Sequence, residues 1–170
     1  MTRFSLAAAL GLSAVVLVLA SALPEPAMAQ NAGQIARVKA GNSCPGCNLF
    51  QGDFSYLEAP GLNLSGARLR QANLSLSVMN RTRFTNADLR DVDAYGAVFS
   101  SARFGGANLT NASFVGTFLE GADFSGARLD GVNFSGAQMQ GATGLTQRQL
   151  DRACGDAATR LPGSLRIPAC

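Results

Sequence analysis

The residues best suited to chemistry are Cys44 and Cys47, separated by Pro45 and Gly46. A C-x-x-C spacing serves thiol–disulfide exchange and zinc coordination, because it brings two sulfurs within reach of one bond or one ion. Exchange chemistry wants the pair at the start of a helix that follows a strand, where the helix N-terminus lowers the thiol pKa. Here the second cysteine runs straight into Asn48-Leu49 and a pattern that is not helical. A zinc site needs further ligands nearby, and the chain has no histidine. The pair therefore reads first as a structural cap, with a thiol-disulfide redox role as the alternative, and no metal or cofactor is expected. The missing histidine also removes the commonest general base at neutral pH. Asp91 and Asp93 are neighbouring acids, but both are expected to face solvent. Arg81, Arg83 and Arg103 form the remaining charged cluster and read as a solvated face. No catalytic residue is assigned, and an enzyme is not expected.

What must position these residues is a period of five that runs from Cys47 to about Gly144. Its central position never slips: Leu49, Phe54, Ala59, Leu64, Leu69, Leu74, Met79, Phe84 and onward to Phe134 and Met139. A small residue sits two places before most of these. Five is neither the helical period of 3.6 nor the strand period of 2, so each five must be one side of a larger coil. Taken every twentieth residue, Leu49, Leu69, Leu89, Leu109 and Leu129 are all leucine. Another column reads Leu64, Phe84, Phe104 and Phe124. Like residues stacking on one another produce such order, which gives four fives per coil.

The pattern resembles the pentapeptide repeat family, A-(D/N)-(L/F)-x-(G/x). It is met closely by Ala107-Asn108-Leu109-Thr110-Asn111, Ala122-Asp123-Phe124-Ser125-Gly126 and Val132-Asn133-Phe134-Ser135-Gly136. The resemblance implies an all-β solenoid, a right-handed quadrilateral β-helix of about five coils, with the central and small positions pointing inward. At a strand spacing of about 4.8 Å, such a rod is about 24 Å tall. Glycine and asparagine at the fifth position suit corners where φ is positive. Some family members protect DNA gyrase by imitating DNA, which needs an acidic rod in the cytoplasm. Here 8 Asp and Glu stand against 7 Arg between residues 47 and 144, and the whole chain carries a net charge of +3. Neither value argues for a nucleic-acid partner.

Residues 1–29 read as a signal peptide. Arg3 precedes an apolar run from Leu6 to Leu23, Pro24 and Pro26 break it, and Ala27-Met28-Ala29 is a small-x-small cleavage site. Cleavage after Ala29 leaves a bacterial periplasmic or secreted protein with no membrane association; an uncleaved anchor is the rival reading. Residues 30–43 form a polar lead-in, either disordered or a brief strand, and residues 44–144 form the repeat. An exported chain with four cysteines implies disulfides. If the repeat is a rod, Cys154 and Cys170 lie beyond one end and bridge each other, whereas Cys44 and Cys47, at the other end, either bridge or stay reduced.

Residues 145–170 form a C-terminal cap. Thr146 with Gln149 three places on is a capping-box signature, so a short helix from Gln147 to about Cys154 is expected, ended by Gly155 and followed by an irregular tail. One surface feature stands out. Val78, Val98 and Phe118 stack as an outward apolar column, with Leu76, Tyr95 and Val115 round the preceding corner. The same chain is one candidate to cover it, through the tail residues Leu161, Leu165 and Ile167 or through the lead-in; a protein partner or a homodimer is the other. The sequence thus describes an exported, non-catalytic structural or interaction module of the cell envelope whose partner is unknown.

Overall fold

The computed structural model describes residues 30–170, so the expected signal peptide and its cleavage site after Ala29 lie outside the described residues. From Cys44 onward the chain winds in a four-sided coil. Each residue one place before a central position pairs in parallel with the residue twenty further on: Asn48 with Arg68, Arg68 with Asp88, Asp88 with Asn108, and so for the other three sides. Every side contributes a single bridge residue rather than an extended strand. Five residues per side are the reason. After one paired residue the chain must already turn the next corner.

Most corners are closed by a hydrogen bond from the small residue's N–H to the central residue's carbonyl three places back, as from Ala72 to Leu69 (2.9 Å) and from Ala107 to Phe104 (2.9 Å). The residue before the small one has positive φ at every corner from Gly46 to Gly141. Such turns, with positive φ at the third residue, favour glycine. The second residue of the motif has its own role. Asn73 accepts hydrogen bonds from the Ser75 N–H (3.0 Å) and hydroxyl (2.6 Å), and Asn63, Asn108 and Asp123 do the same for Ser65, Thr110 and Ser125. An Asx side chain two places before a Ser or Thr thus holds the chain into each turn.

The interior is apolar and rich in aromatic rings. Phe84, Phe104 and Phe124 stack face to face, with centroids 5.2 and 5.1 Å apart, and Phe99, Phe114 and Phe134 pack beside them. Alanines fill the small column beneath, because four walls converge there. At Gly52 a Cβ would lie 2.5 Å from the Phe54 ring, so a side chain at that position would force the ring to shift. Thr82 occupies one small position with a buried hydroxyl that has no partner.

Both ends of the rod differ from the sequence expectation. The lead-in is neither disordered nor a strand; it is helix α1, Ala32–Lys39. Asn31 caps it by accepting from the Gln34 N–H, and Arg37 and Lys39 sit in the last turn, where the helix dipole favours cations. Val38 is buried and Ile35 packs on the first coil, so the helix lids the open core. The open ladder edge is satisfied by side chains: the Asn48 N–H donates to Gln34 Oε1 (2.6 Å) and the Asn63 N–H to Ser43 Oγ (2.8 Å). These contacts close an edge that would otherwise pair with another chain.

At the other end helix α2 spans Gln147–Leu150, shorter than expected. The capping box is present, and Gln149 also donates to the Phe124 and Ala127 carbonyls of the last coil (3.1 and 2.9 Å). The helix stops because the ladder reclaims the backbone: the Arg152 carbonyl accepts from the Gly131 N–H (2.7 Å), and the Cys154 N–H donates to Val132 (2.9 Å). The tail from Leu161 to Cys170 is irregular as expected, apart from the pairing of Ala169 with Gly155. Just before it, Cys154 pairs with Asn133 and Arg160 with Gln138, which adds a partial layer on top of the rod.

Candidate functional site

Three surface features were legible as candidates, and the coil places them on different parts of the rod. The cysteine pair lies at the α1 end. Cys44 and Cys47 form a disulfide with Cα atoms 5.5 Å apart, Cys44 is only 2% exposed, and the Cys44 N–H joins the ladder through Asn63 (3.0 Å). Cys154 and Cys170 form the second disulfide, with Cα atoms 4.8 Å apart, and pin the tail to the last coil. Both bridges lock chain ends where they leave the ladder. Neither sits at a helix N-terminus.

The apolar feature spans one corner and the side after it. Val78, Val98 and Phe118 pair in one column, with Phe118 50% exposed, and Leu76 and Tyr95 at the corner are 41% and 54% exposed; Val115 is half-buried. Of the candidates to cover this surface, the tail does not do so. Leu161, Leu165 and Ile167 pack against the core, and the tail's pairings with Asn133 and Gln138 carry it over the end of the rod, not down its side. Sequence reading missed one member, Tyr56, which stands twenty residues before Leu76 at the same corner and is 72% exposed. Its signal was present: it is a bulky residue at a fifth position.

That position matters energetically. Tyr56 and Leu76 have φ of 58° and 57°, a left-handed conformation that costs a side-chain-bearing residue about 1–2 kcal/mol. Most other corner residues are glycine or short polar residues. The Leu76 side chain folds over the next corner, where a Cβ on Gly96 would lie 2.8 Å from Leu76 Cδ2. Two large apolar residues are therefore held exposed at positions that favour glycine.

The arginines form the third feature, round the corner that follows the Val78 column. Arg83 and Arg103 are bridge partners in successive coils, and with Arg81, Ser101 and Gly61 they line a surface cleft of about 440 Å³. A second depression, of about 310 Å³, is lined by Pro60, Val78, Asn80, Arg81, Ser100 and Ser101 and joins the cleft to the apolar column. A third cleft, about 470 Å³, lies under α2 between Arg128, Asp130, Arg148 and Arg152. There one carboxylate offsets part of the charge of three arginines: Asp130 accepts from Arg152 at 2.8 Å and faces Arg128 at 3.7 Å. Arg152 holds the Asp130 carboxyl below its usual pKa, and the Arg90 guanidinium does the same for Asp88. Asp88, whose bridge partner in the preceding coil is Arg68, is ion-paired to Arg90 at 2.6 Å instead. Asp91 accepts from Arg70 (3.3 Å), and Asp93 accepts from the Tyr95 N–H (3.0 Å), so these two acids are separately engaged. Among the described residues no group of His, Cys, Asp and Glu is arranged to hold a metal ion, and no helix is long and apolar enough to cross a membrane.

The family model described as pentapeptide repeats matches residues 63–100 and 102–141, in eight copies. The crystal structure of a pentapeptide repeat protein from the cyanobacterium Cyanothece 51142 aligns with 76% of this chain and 97% of its own, at 24% identity and a TM-score of 0.56. A pentapeptide repeat protein of the Arabidopsis thaliana thylakoid lumen is 27% identical over 64% of this chain and 58% of its own, with a TM-score of 0.33. The plasmid-mediated fluoroquinolone resistance protein QnrB1 is 19% identical over 66% of this chain and 81% of its own, with a TM-score of 0.32. No curated protein gives a significant match.

Proposed function

We propose that this chain, which belongs to the pentapeptide repeat family, is an exported, non-catalytic interaction module that presents its apolar corner to a protein partner in the cell envelope. A rod of about five coils, closed by α1 and by the C-terminal cap, is the scaffold. Tyr56, Leu76, Tyr95, Val98 and Phe118 are the contact surface. The observation that carries this reading is the exposure of Tyr56 and Leu76 at left-handed corners, where a glycine would cost the fold less. Exposed aromatic and aliphatic side chains on a rigid face are what a protein partner desolvates most favourably.

The redox alternative has less behind it. It needs an accessible sulfur to form a mixed disulfide with a substrate, and Cys44, the first cysteine of the pair, is buried in the first coil. Imitation of DNA lacks the acidic surface it requires, with 8 acids against 7 arginines in the repeat. The test is capture from an envelope extract by residues 30–170, in parallel with the Phe118→Ser and Tyr56→Ser variants, while sedimentation of the isolated chain detects a second copy as the partner. Loss of one discrete species in both variants supports the reading. Identical capture and identical sedimentation for all three proteins reject it.

A further inference from the structure

The arginine cleft carries an inference independent of the apolar corner. Arg81, Arg83 and Arg103 are all exposed and converge on one cleft of about 440 Å³ with the Ser101 hydroxyl and the open corner at Gly61. Among the described residues the ion pairs go to Arg70, Arg90, Arg128 and Arg152, and none goes to these three. Asp123, the bridge partner of Arg103 in the next coil, offsets part of the Arg103 charge, but the Asp123 Oδ1 accepts from the Ser125 N–H and hydroxyl at 2.9 and 2.6 Å and the carboxylate forms no ion pair with the trio.

The arrangement is costly as it stands. Arg83 and Arg103 are directly paired like charges in neighbouring coils, about 4.8 Å apart along the rod, and such pairs are destabilising. Arg81 has φ of 59°, at a corner that favours glycine. Arg70, Arg90 and Arg128 on the rod are each ion-paired to a carboxylate, whereas none of the three cleft arginines is. A bound oxyanion removes the repulsion. Guanidinium groups offer planar pairs of N–H donors that match the oxygens of phosphate or sulfate, and several such groups around one anion give short, charge-assisted bonds. A carboxylate, with a single charge, would leave the trio under-neutralised.

We propose that Arg81, Arg83 and Arg103 form a binding site for a phosphate- or sulfate-type oxyanion group, with Ser101 as an additional donor. The depression that runs from this cleft past Pro60 to Val78 gives an attached apolar portion of the ligand a place to lie.

The test is titration calorimetry of residues 30–170 at constant ionic strength with inorganic phosphate, pyrophosphate and sulfate. Co-sedimentation with phosphatidylcholine vesicles, with and without phosphatidylglycerol, forms the second arm. Saturable binding is expected, weakened on the order of tenfold or more by Arg83→Gln or Arg103→Gln, since each removes hydrogen bonds to a charged group. Arg103→Lys, which keeps the charge and loses the fork, should fall between. Arg68→Gln is the control, because it removes an equal charge from another side of the rod and should leave binding unchanged. Binding of the free anions assigns a soluble ligand; binding of phosphatidylglycerol vesicles alone assigns a lipid headgroup. The proposal is overturned if none of the probes binds saturably, or if Arg68→Gln weakens binding as much as Arg83→Gln. Unchanged or raised melting temperatures for the glutamine variants separate loss of the site from loss of the fold.

Discussion

Replacing Phe104 by alanine tests the inward assignment most severely. Phe104 has no exposed surface and lies between two parallel rings, Phe84 at 5.2 Å and 5° and Phe124 at 5.1 Å and 11°. It also meets Phe99 and Phe114 edge-on at 5.9 and 5.8 Å. Truncating a buried phenylalanine costs about 3–5 kcal/mol through lost transfer energy and the cavity left behind. Each ring pair adds about 0.5–1.5 kcal/mol, although neighbouring losses do not sum. A solenoid is stabilised by contacts between adjacent coils, so one deletion in the middle weakens two interfaces. A loss near the upper end, about 4–5 kcal/mol, is therefore expected in equilibrium urea unfolding with both disulfides intact. The matched control is Phe118→Ala, on an outward column at 50% exposure, which should cost less than about 1 kcal/mol. A loss below about 1 kcal/mol at Phe104, or equal losses at both sites, would refute the reasoning.

Tyr56→Gly should stabilise the chain by about 0.5–1 kcal/mol, because relief of the left-handed backbone exceeds the extra entropy of an unfolded glycine. The same variant should lose partner capture, and a fall in melting temperature would show that Tyr56 serves the fold instead. Thr82→Val keeps the side-chain shape and removes a buried hydroxyl that has no partner; a gain of about 1 kcal/mol is expected in chemical denaturation, and a loss would mean that the hydroxyl is bonded in solution. The carboxyls of Asp88, Asp123 and Asp130 are held below their ordinary pKa, chiefly by Arg90, Ser125 and Arg152 respectively. Depressed folded-state values mean that their stabilisation is present above the unfolded carboxylate pKa and is lost as pH falls through the folded values. With no histidine in the chain, the melting temperature should be nearly flat from about pH 5 to 7 and fall below about pH 4. A titration step near pH 6.5 would contradict this.

The repeat was legible because its physics is local and periodic. Leu49, Phe104 and the alanines before them report their own burial through residue type, and the twenty-residue order reports which of them stack. The corners were legible in part: glycine suggested positive φ, but Tyr56 and Leu76 adopt it without announcing it by type. The ends were legible only in part: the Thr146–Gln149 capping box marked the start of α2. Helix α1 depends on Val38 finding the open core and on Gln34 and Ser43 meeting unpaired N–H groups of the first coil, and no local pattern encodes those meetings. Likewise α2 stops early because Arg152 and Cys154 are drawn into the ladder by Gly131 and Val132, more than twenty residues away. The tail's apolar residues were readable, but not their destination, which the Cys154–Cys170 bridge and the Gln138–Arg160 pairing direct over the end of the rod.

The exposed corner is the centre of the functional account, and a photo-crosslinking amino acid placed at Phe118 tests it most directly, because a benzoyl-phenylalanine there preserves the aromatic surface. Irradiated in the native compartment, position 118 should yield one discrete crosslinked species, and the same probe at Arg68, on another side of the rod, should yield none. No crosslink at position 118, or the same products from both positions, would contradict the account.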